Sequence, residues 1–457
     1  MRKELLLELL GLFGRQDFLR LENFAQLGLW KINKEDQLFL SKLAKNPHQY
    51  ERLYELEKAN SSGSFKQRKG NIVKLIEDYI LLLESRKEEN EVNRSLQLLN
   101  FYNQHRLESN YKKQLKKVEK SIDSKPRDKD TSLLKFRYHE IQATNSRIYR
   151  QKMPELEEMN MHLLSFFTEN NLRLASEAQT QKETINCKYK IDNFLEFLPV
   201  NSCTLVACIY GNIYNLWALL ASQTNYTFLK NTIQNKASNI SQELFKTIHT
   251  HLMNYCIKQM NLGIPRYASE YLFYIQSLTD KRLLLERGRL DYGRFRNTII
   301  AYLIESPTNF IQVDEFIDYY KDLLDLPYRM DIVKINSIYV SAFKKKYTER
   351  YSDLLALKNT RLDLHHKIML EKLDLQFTLM LGKNTTNLLE KKIINFKTFL
   401  NKKRSELEGG KKLKVSLSFA KCIESMMTGD LTLKEIEETE LALTDKIWFL
   451  TKMLERS

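Results

Sequence analysis

Apolar residues recur along this chain at the spacing of an α-helix. Within short segments they stand at i, i+3, i+4, i+7 and i+8, which places them in one stripe along a helix face. Runs that alternate apolar and polar residues, as strands do, are nearly absent. The pattern therefore predicts an all-α protein. The clearest stripes are Phe295, Ile299, Tyr302 and Leu303; Phe316, Tyr319, Tyr320, Leu323 and Leu324; and Ile335, Ile338, Tyr339, Ala342 and Phe343.

The stripes themselves repeat in the second half of the chain. Residues 295–303 map onto 335–343 at an offset of 40, and residues 339–343 map onto 373–377 at an offset of 34. The intervening helices map at an offset of 35, from residues 316–320 onto 351–355. Two helices in a unit of 34 to 40 residues are typical of a tetratricopeptide-like array of helical hairpins.

Stacking explains why such units repeat. One hairpin cannot bury its apolar stripe alone, so the next hairpin covers it. We therefore predict a right-handed α-solenoid of stacked helical hairpins, with a less regular helical N-terminal half. The consensus run Trp-x-x-Leu-Gly-x-x-Tyr and a regular Pro at the unit ends are missing. The prediction thus depends on periodicity, and a non-repetitive helical bundle remains the alternative.

Breaks in the pattern divide the chain into four predicted segments. Three helices are predicted over 68–124 and two over 128–182, the second of which carries the stripe Leu156, Met159, Leu163, Phe166 and Phe167. Thr432–Glu435 has the form of a capping box. It is predicted to open one last helix through Ile436, Leu443, Ile447 and Leu450. The segments are 1–63 with short helices, 64–200, the hairpin array 201–408, and the capping helices 409–457.

The composition agrees with this fold and narrows the compartment. The 457 residues include only 13 Gly and 7 Pro, well below the usual ~7% and ~5%, which excludes collagen, low-complexity disorder and most all-β folds. Five scattered cysteines form no Cys-x-x-Cys pair, and no secretory apolar run follows the N-terminus. We predict a cytoplasmic protein with reduced thiols. The uncharged segment 205–221 contains Gly and Asn, so it is predicted to be a buried helix and not a membrane span.

Motifs that would indicate an enzyme are missing. The chain has no phosphate-binding glycine loop, no Gly-x-Ser-x-Gly and no His-Glu-x-x-His. His249 and His251 stand at i and i+2, and such positions point about 200° apart on a helix. His249 and His251 therefore cannot bind one metal ion from a single helix face. The adjacent residues His365 and His366 also point in different directions, so they cannot share a metal ion in this way either. The sequence therefore predicts a non-enzymatic protein without a cofactor or a metal.

The positive charge is concentrated in two stretches. The formal net charge is +15; residues 111–137 contribute +6 and residues 391–414 contribute +7. A lysine-rich helix face can follow phosphates electrostatically, and it is also the ordinary solvated face of an amphipathic helix. The candidate contact residues are Lys112, Lys113, Lys116, Lys117, Lys120, Lys402, Lys403, Arg404, Lys411 and Lys412.

Three phrases carry a likeness to a known family. They are Asn254–Gly263, followed by a helix with Tyr271 and Tyr274; Leu283–Leu290; and Asp445–Leu450 near the end. From about residue 70 onward the chain resembles an uncharacterised family of long helical-repeat proteins of the Bacteroidota. The resemblance implies a cytoplasmic tetratricopeptide-like solenoid, and it implies no activity and no functional residues.

The expected function follows from the predicted fold. We expect a non-enzymatic scaffold whose groove holds an extended peptide or a partner helix. The alternative is a nucleic-acid-associated protein that uses the basic faces at 111–137 and 391–414. The sequence identifies neither a partner nor an oligomeric state.

Overall fold

The computed structural model describes residues 5–11, 13–27, 33–60, 65–87, 90–128, 130–148, 152–185, 189, 204–218, 223–286, 288–324, 329–360, 362–382, 386–407 and 411–455. In these residues all the regular secondary structure is helical, without a strand, so the predicted all-α class is confirmed. Side chains at several helix starts accept a backbone N–H of the first turn, as good N-caps do. They are Asn33, Ser241, Asp291, Asp363 and Thr432.

The chain forms two compact units, and unit 1 comprises residues 1–125 and 129–168. One core lies among its first five helices and a second core among the next three. The three helices predicted over 68–124 and the two over 128–182 are confirmed. The helices are α1 Leu5–Leu10, α2 Arg15–Ala25, α3 Lys34–Lys45, α4 Tyr50–Asn60, α5 Phe65–Ser85, α6 Glu91–Gln104, α7 Glu108–Asp123, α8 Thr131–Ile148 and the first half of α9 Glu155–Ile185.

Unit 2 comprises residues 126–128 and 169–457, and one continuous core runs from Val206 to Phe449. It begins with the second half of α9. The remaining helices are α10 Leu205–Ala218, α11 Gln223–Asn235, α12 Gln242–Asn261, α13 Tyr267–Asp280, α14 Tyr292–Glu305, α15 Ile311–Tyr320, α16 Arg329–Phe343, α17 Tyr347–Lys358, α18 Leu364–Leu381, α19 Thr386–Lys402, α20 Lys411–Thr428, α21 Leu433–Glu438 and α22 Leu443–Leu454.

The helices of unit 2 pack in chain order. Neighbouring helices contact each other from α10 to α15, from α16 to α20, and between α21 and α22. Contacts between every second helix also join α14 to α16, α16 to α18, and α18 to α20. Alternate helices therefore lie side by side along this part of the chain.

The burial of side chains agrees with the predicted offset of 40 and agrees only in part with the predicted offset of 35. The pairs Phe295 and Ile335, Ile299 and Tyr339, and Leu303 and Phe343, which are 40 apart, are all buried. The predicted offset of 35 is wrong between α15 and α17, because Tyr319 is 71% exposed while its counterpart Leu354 is buried. The same offset also maps Leu354 onto Leu389, and these two residues are both buried. An offset of 34 pairs buried Tyr320 with Leu354, since α15 turns Phe316 and Tyr320 inward and leaves Tyr319 outward.

The C-terminal helix differs from the prediction. Thr432 does cap a helix by accepting the N–H of Glu435, but that helix ends at Glu438. The backbone is extended at Thr439 and at Ala442, so the predicted single helix is two helices, α21 and α22. Leu441 is buried between them.

The last helix returns to distant parts of unit 2. It packs on α14, and the Trp448 Nε1–H donates to the carbonyl of Ala342 at 3.4 Å. Lys372 of α18 donates to Asp445 at 2.7 Å. Trp448 and Phe449 are fully buried. This helix therefore contacts elements far back along the chain as well as its neighbour α21.

Some of the predicted boundaries fall on residues that the structure does not describe. The predicted segment boundaries near residues 63, 200 and 408, and the predicted helix end at Gly409-Gly410, lie outside the described residues.

The uncharged stretch forms α10, whose side chains are mostly buried. Among the described residues, no helix combines the length and apolar character needed to cross a membrane.

Candidate functional site

The first predicted basic face is present on α7 in unit 1. Tyr111, Gln114, Val118 and Ile122 form the buried side of this helix. The five lysines project from the other side, and all are exposed. Lys112 pairs with Glu108 at 2.7 Å. Within the described residues the remaining four have no ion-pair partner: Lys113, Lys116, Lys117 and Lys120.

The second basic stretch is partly neutralised inside unit 2. Its ion pairs are Lys392 with Asp374, Lys397 with Glu424, Lys403 with Glu406, and Lys414 with Glu440. Three of these acidic residues lie outside the stretch, so they cancel part of its net charge. Lys402, Arg404 and Lys412 are exposed, and the Lys411 side chain lies outside the described residues.

The histidines of α12 are buried and hydrogen-bonded to different partners. The Nδ1 of His249 bonds to the carbonyl of Phe245 at 2.9 Å, and its Nε2 bonds to Ser277 at 3.0 Å. The Nδ1 of His251 bonds to the Thr180 hydroxyl at 3.2 Å. Burial lowers the pKa of each imidazole to about 4, so both are neutral at pH 7. This agrees with the interpretation of hydrogen-bonded core histidines.

A hydrogen-bonded tyrosine network surrounds Cys256. The Tyr274 hydroxyl donates to that of Tyr226 at 2.8 Å, and Tyr226 donates to Glu270 at 3.2 Å. Lys230 neutralises Glu270 at 2.6 Å. Burial raises the pKa of the Cys256 thiol to about 12. Because the thiolate is the nucleophile, this cysteine is chemically unreactive and the network supports the core.

The first half of α9 exposes its apolar side chains. Leu156, Leu164 and Phe167 are 51%, 40% and 53% exposed, and they lie within about 80° of one another around the helix axis. Ser165 and Thr168 are buried instead, and their hydroxyls donate to carbonyls of their own helix. The stripe predicted for this helix has the expected helical spacing, but none of its five residues is fully buried. We call Leu156, Leu164 and Phe167 the α9 apolar face.

Three possible metal ligands meet between α8 and α9. One nitrogen or oxygen atom from each of His139, Glu158 and His162 lies within 4.8 Å of the other two. The sequence interpretation missed this group. Glu158 and His162 stand at i and i+4, which was a visible signal, but His139 joins them only through helix packing.

Two cavities complete the candidate sites. A cavity of about 310 Å³ in unit 2 is lined by Thr250, Tyr271, Glu286, Asp291 and Arg294. An open groove of about 610 Å³ in unit 1 lies between α6 and α8 and is lined by Asn93, Gln97, Arg137 and Glu140. In the cavity of unit 2, the Arg294 guanidinium donates to the Leu284 carbonyl at 3.5 Å and to the Thr250 hydroxyl at 3.4 Å.

Comparison of the chain with models of protein families, with curated proteins and with solved structures found no match. The function of this chain must therefore be inferred from the geometry of its own surface. Within the described part of the chain, that geometry includes the α9 apolar face, the exposed lysines of α7 and the potential metal ligands His139, Glu158 and His162.

Proposed function

We propose that the chain is a non-enzymatic helical-repeat scaffold of the tetratricopeptide-like type that binds another protein. The observation that carries the proposal is the α9 apolar face. A helix that buries hydroxyl side chains while exposing two leucines and a phenylalanine leaves apolar area in water. We infer an interaction site from the three exposed apolar side chains because they share one side of the helix.

The packing of unit 2 supports the repeat part of the proposal. The contacts α14–α16, α16–α18 and α18–α20 are those expected when the first helix of each hairpin stacks on the next. The shared burial at an offset of 40 agrees with this stacking. A right-handed superhelix is the handedness that we propose for it.

The partner that suits the α9 apolar face presents an apolar groove or helix. Three side chains on one side of a helix are the recognition pattern of a helix that docks in a groove. Because the contact would be apolar, its affinity depends weakly on salt. This property separates it from binding through lysines.

The test uses the double variant Leu164→Asp/Phe167→Asp in the full chain. We expect the wild-type protein to recover one protein in a fixed ratio from cells of its source, and the purified pair to bind with little change between low and high salt. The double variant weakens this affinity at least tenfold, or about 1.4 kcal/mol. Asn160→Asp, which adds a charge on the same side of α9 without removing apolar area, leaves it unchanged.

Two results would contradict the scaffold proposal. One is equal binding by the wild-type protein and the double variant. The other is binding that only the lysine face controls. If the wild-type protein instead self-associates and the double variant does not, the partner is a second copy of this chain.

The α7 lysine face favours a second candidate function, nucleic-acid binding. Four exposed lysines without an acidic partner among the described residues leave charge available for phosphates. The variant Lys113→Glu/Lys116→Glu/Lys117→Glu tests this. If the face contacts phosphates, the slope of log affinity against log salt falls by about 0.9 per lost contact. The matched control, Lys334→Glu/Lys367→Glu/Lys421→Glu, changes three exposed lysines outside both basic stretches and keeps the slope.

A further inference from the structure

The helices α8 and α9 pair as an antiparallel hairpin inside unit 1. The Ser146 hydroxyl donates to Glu155 at 3.3 Å across the pair. Two helical turns further from the hairpin end, the rings of His139 and His162 lie 5.5 Å apart with planes 12° from parallel. The same register therefore brings both pairs together, and it stacks the two imidazoles with an offset across the hairpin.

The same turn of α9 supplies a carboxylate. Glu158 and His162 stand at i and i+4, and such side chains share one side of a helix. The His162 Nε2 and the nearer Glu158 oxygen are 3.8 Å apart, which is longer than a hydrogen bond. With His139 they form a set of three donor atoms that lie within 4.8 Å of one another.

Buried polar atoms along this hairpin lack a partner among the described residues. They are the Nδ1 of His139, the Oε1 of Gln142 and the Oε2 of Glu155. A buried polar atom without a hydrogen bond costs stability, so native proteins satisfy nearly all of them. The hairpin therefore has unused donor and acceptor capacity at and beside the two imidazoles.

We propose that His139, Glu158 and His162 bind one divalent transition-metal ion of the zinc type. Two imidazoles and one carboxylate suit such ions, whereas magnesium and calcium prefer oxygen ligands throughout. Bonds of about 2.0–2.1 Å place tetrahedral donors about 3.4 Å apart, so small side-chain rotations close the set around an ion. Water fills the remaining position.

The solvent exposure of the three ligands and the charges around them agree with a bound metal ion. Glu158 is half-exposed, with 51% of its side chain in contact with solvent, so an ion reaches the ligands from outside, while His162 is only 16% exposed. Lys135, one helical turn before His139, is a cation that acts electrostatically on His162. Its ammonium is bound to Asp123 at 3.2 Å, which reduces its repulsion of the metal.

The site is independent of the proposed scaffold function. Glu158 and His162 lie on the opposite side of α9 from the apolar face, and the ion would join α8 to α9 across the hairpin. Its role is structural, because binding to the folded form alone stabilises that form. We propose no reaction at it.

The experiment titrates Zn²⁺ into the full-length protein after chelator treatment and dialysis, by isothermal titration calorimetry. We expect one ion per chain and a melting temperature that rises with zinc concentration. The variants His139→Ala, His162→Ala and Glu158→Gln each weaken this binding at least about tenfold. Exposed His48→Ala and Glu157→Gln, on the same unit, are the matched controls and keep the wild-type affinity.

Two results would overturn the metal site. One is no saturable uptake of one ion by the wild-type protein, and the other is uptake that all three ligand variants retain. Glu158→Gln keeps the shape of a half-exposed side chain, so it decides the question if a histidine variant fails to fold. Co²⁺ provides a second readout, because its visible absorption changes when nitrogen ligands are lost.

Discussion

At the scale of single residues, Asp374 is the clearest ionic contact of unit 2. Its carboxylate is 2% exposed and accepts from Lys358 and Lys392. Burial alone would raise the pKa of Asp374, but the hydrogen bonds from the two lysines outweigh it and hold the pKa below its ordinary value. The stabilisation is present above the ordinary carboxylate pKa, and it is lost as pH falls through the lowered folded value.

Asp374→Ala is expected to destabilise unit 2 by about 2–3 kcal/mol, because it removes the carboxylate shared by two half-buried ammonium groups. Lys358 keeps Glu371 as a partner, and Lys392 keeps its bonds to Tyr351 and Thr378. Urea unfolding followed by tryptophan fluorescence measures this, since Trp217 and Trp448 are buried in the same unit. Asp353→Ala is the control. Its pair with Arg350 is exposed, so the cost is below about 1 kcal/mol. A small loss for Asp374→Ala would contradict the ionic account.

The two histidines of α12 predict sensitivity to mild acid. Burial lowers each pKa from 6.5 to about 4, so the unfolded chain takes up protons first as pH falls. Each neutral histidine makes its full contribution to the free energy of unfolding above pH 6.5. This contribution declines between pH 6.5 and pH 4, and the loss is about 2 kcal/mol per histidine at pH 5. Urea midpoints at pH 7 and pH 5 measure it. His249→Gln/His251→Gln should reduce the difference, while His48→Gln should not.

At the scale of secondary-structure elements, α9 shows that a stripe does not reveal which way it faces. We expect Phe167→Ala to lower the free energy of unfolding by about 1 kcal/mol or less, because about half of the residue is already in solvent. Phe295→Ala on α14 should cost about 3–5 kcal/mol, since that ring is fully buried. Equal losses for the two phenylalanines would show that the α9 face is covered in solution.

Periodicity predicts elements well because it depends on neighbouring residues. It identified the helices of 68–182, and the offset of 40 between α14 and α16. It could not supply contacts between distant residues. The Lys392–Asp374 pair removes charge from a stretch that looks uniformly basic, and the His139–His162 pair depends on the register of two helices. Both require the packed structure.

At the scale of the whole molecule, unit 2 departs from a chain of nearest-neighbour contacts at α22. Trp448→Ala should speed amide hydrogen exchange in α14 and α16, because the indole packs there and donates to Ala342. Mass spectrometry resolves these peptides. Trp217→Ala is the matched control, and its effect should stay near α10 and α12, where its ring contacts Tyr255. Faster exchange confined to α20 and α21 after Trp448→Ala would contradict the long-range role.

The return of α22 also constrains how this protein can evolve. Repeat arrays commonly gain or lose whole units by duplication and deletion, since each unit touches only its neighbours. Here the contact of α22 with α14, and the bond between Asp445 and Lys372, span the hairpins that lie between them. An added or deleted hairpin would separate these partners. We therefore expect related chains to vary in length outside the region from α14 to α22.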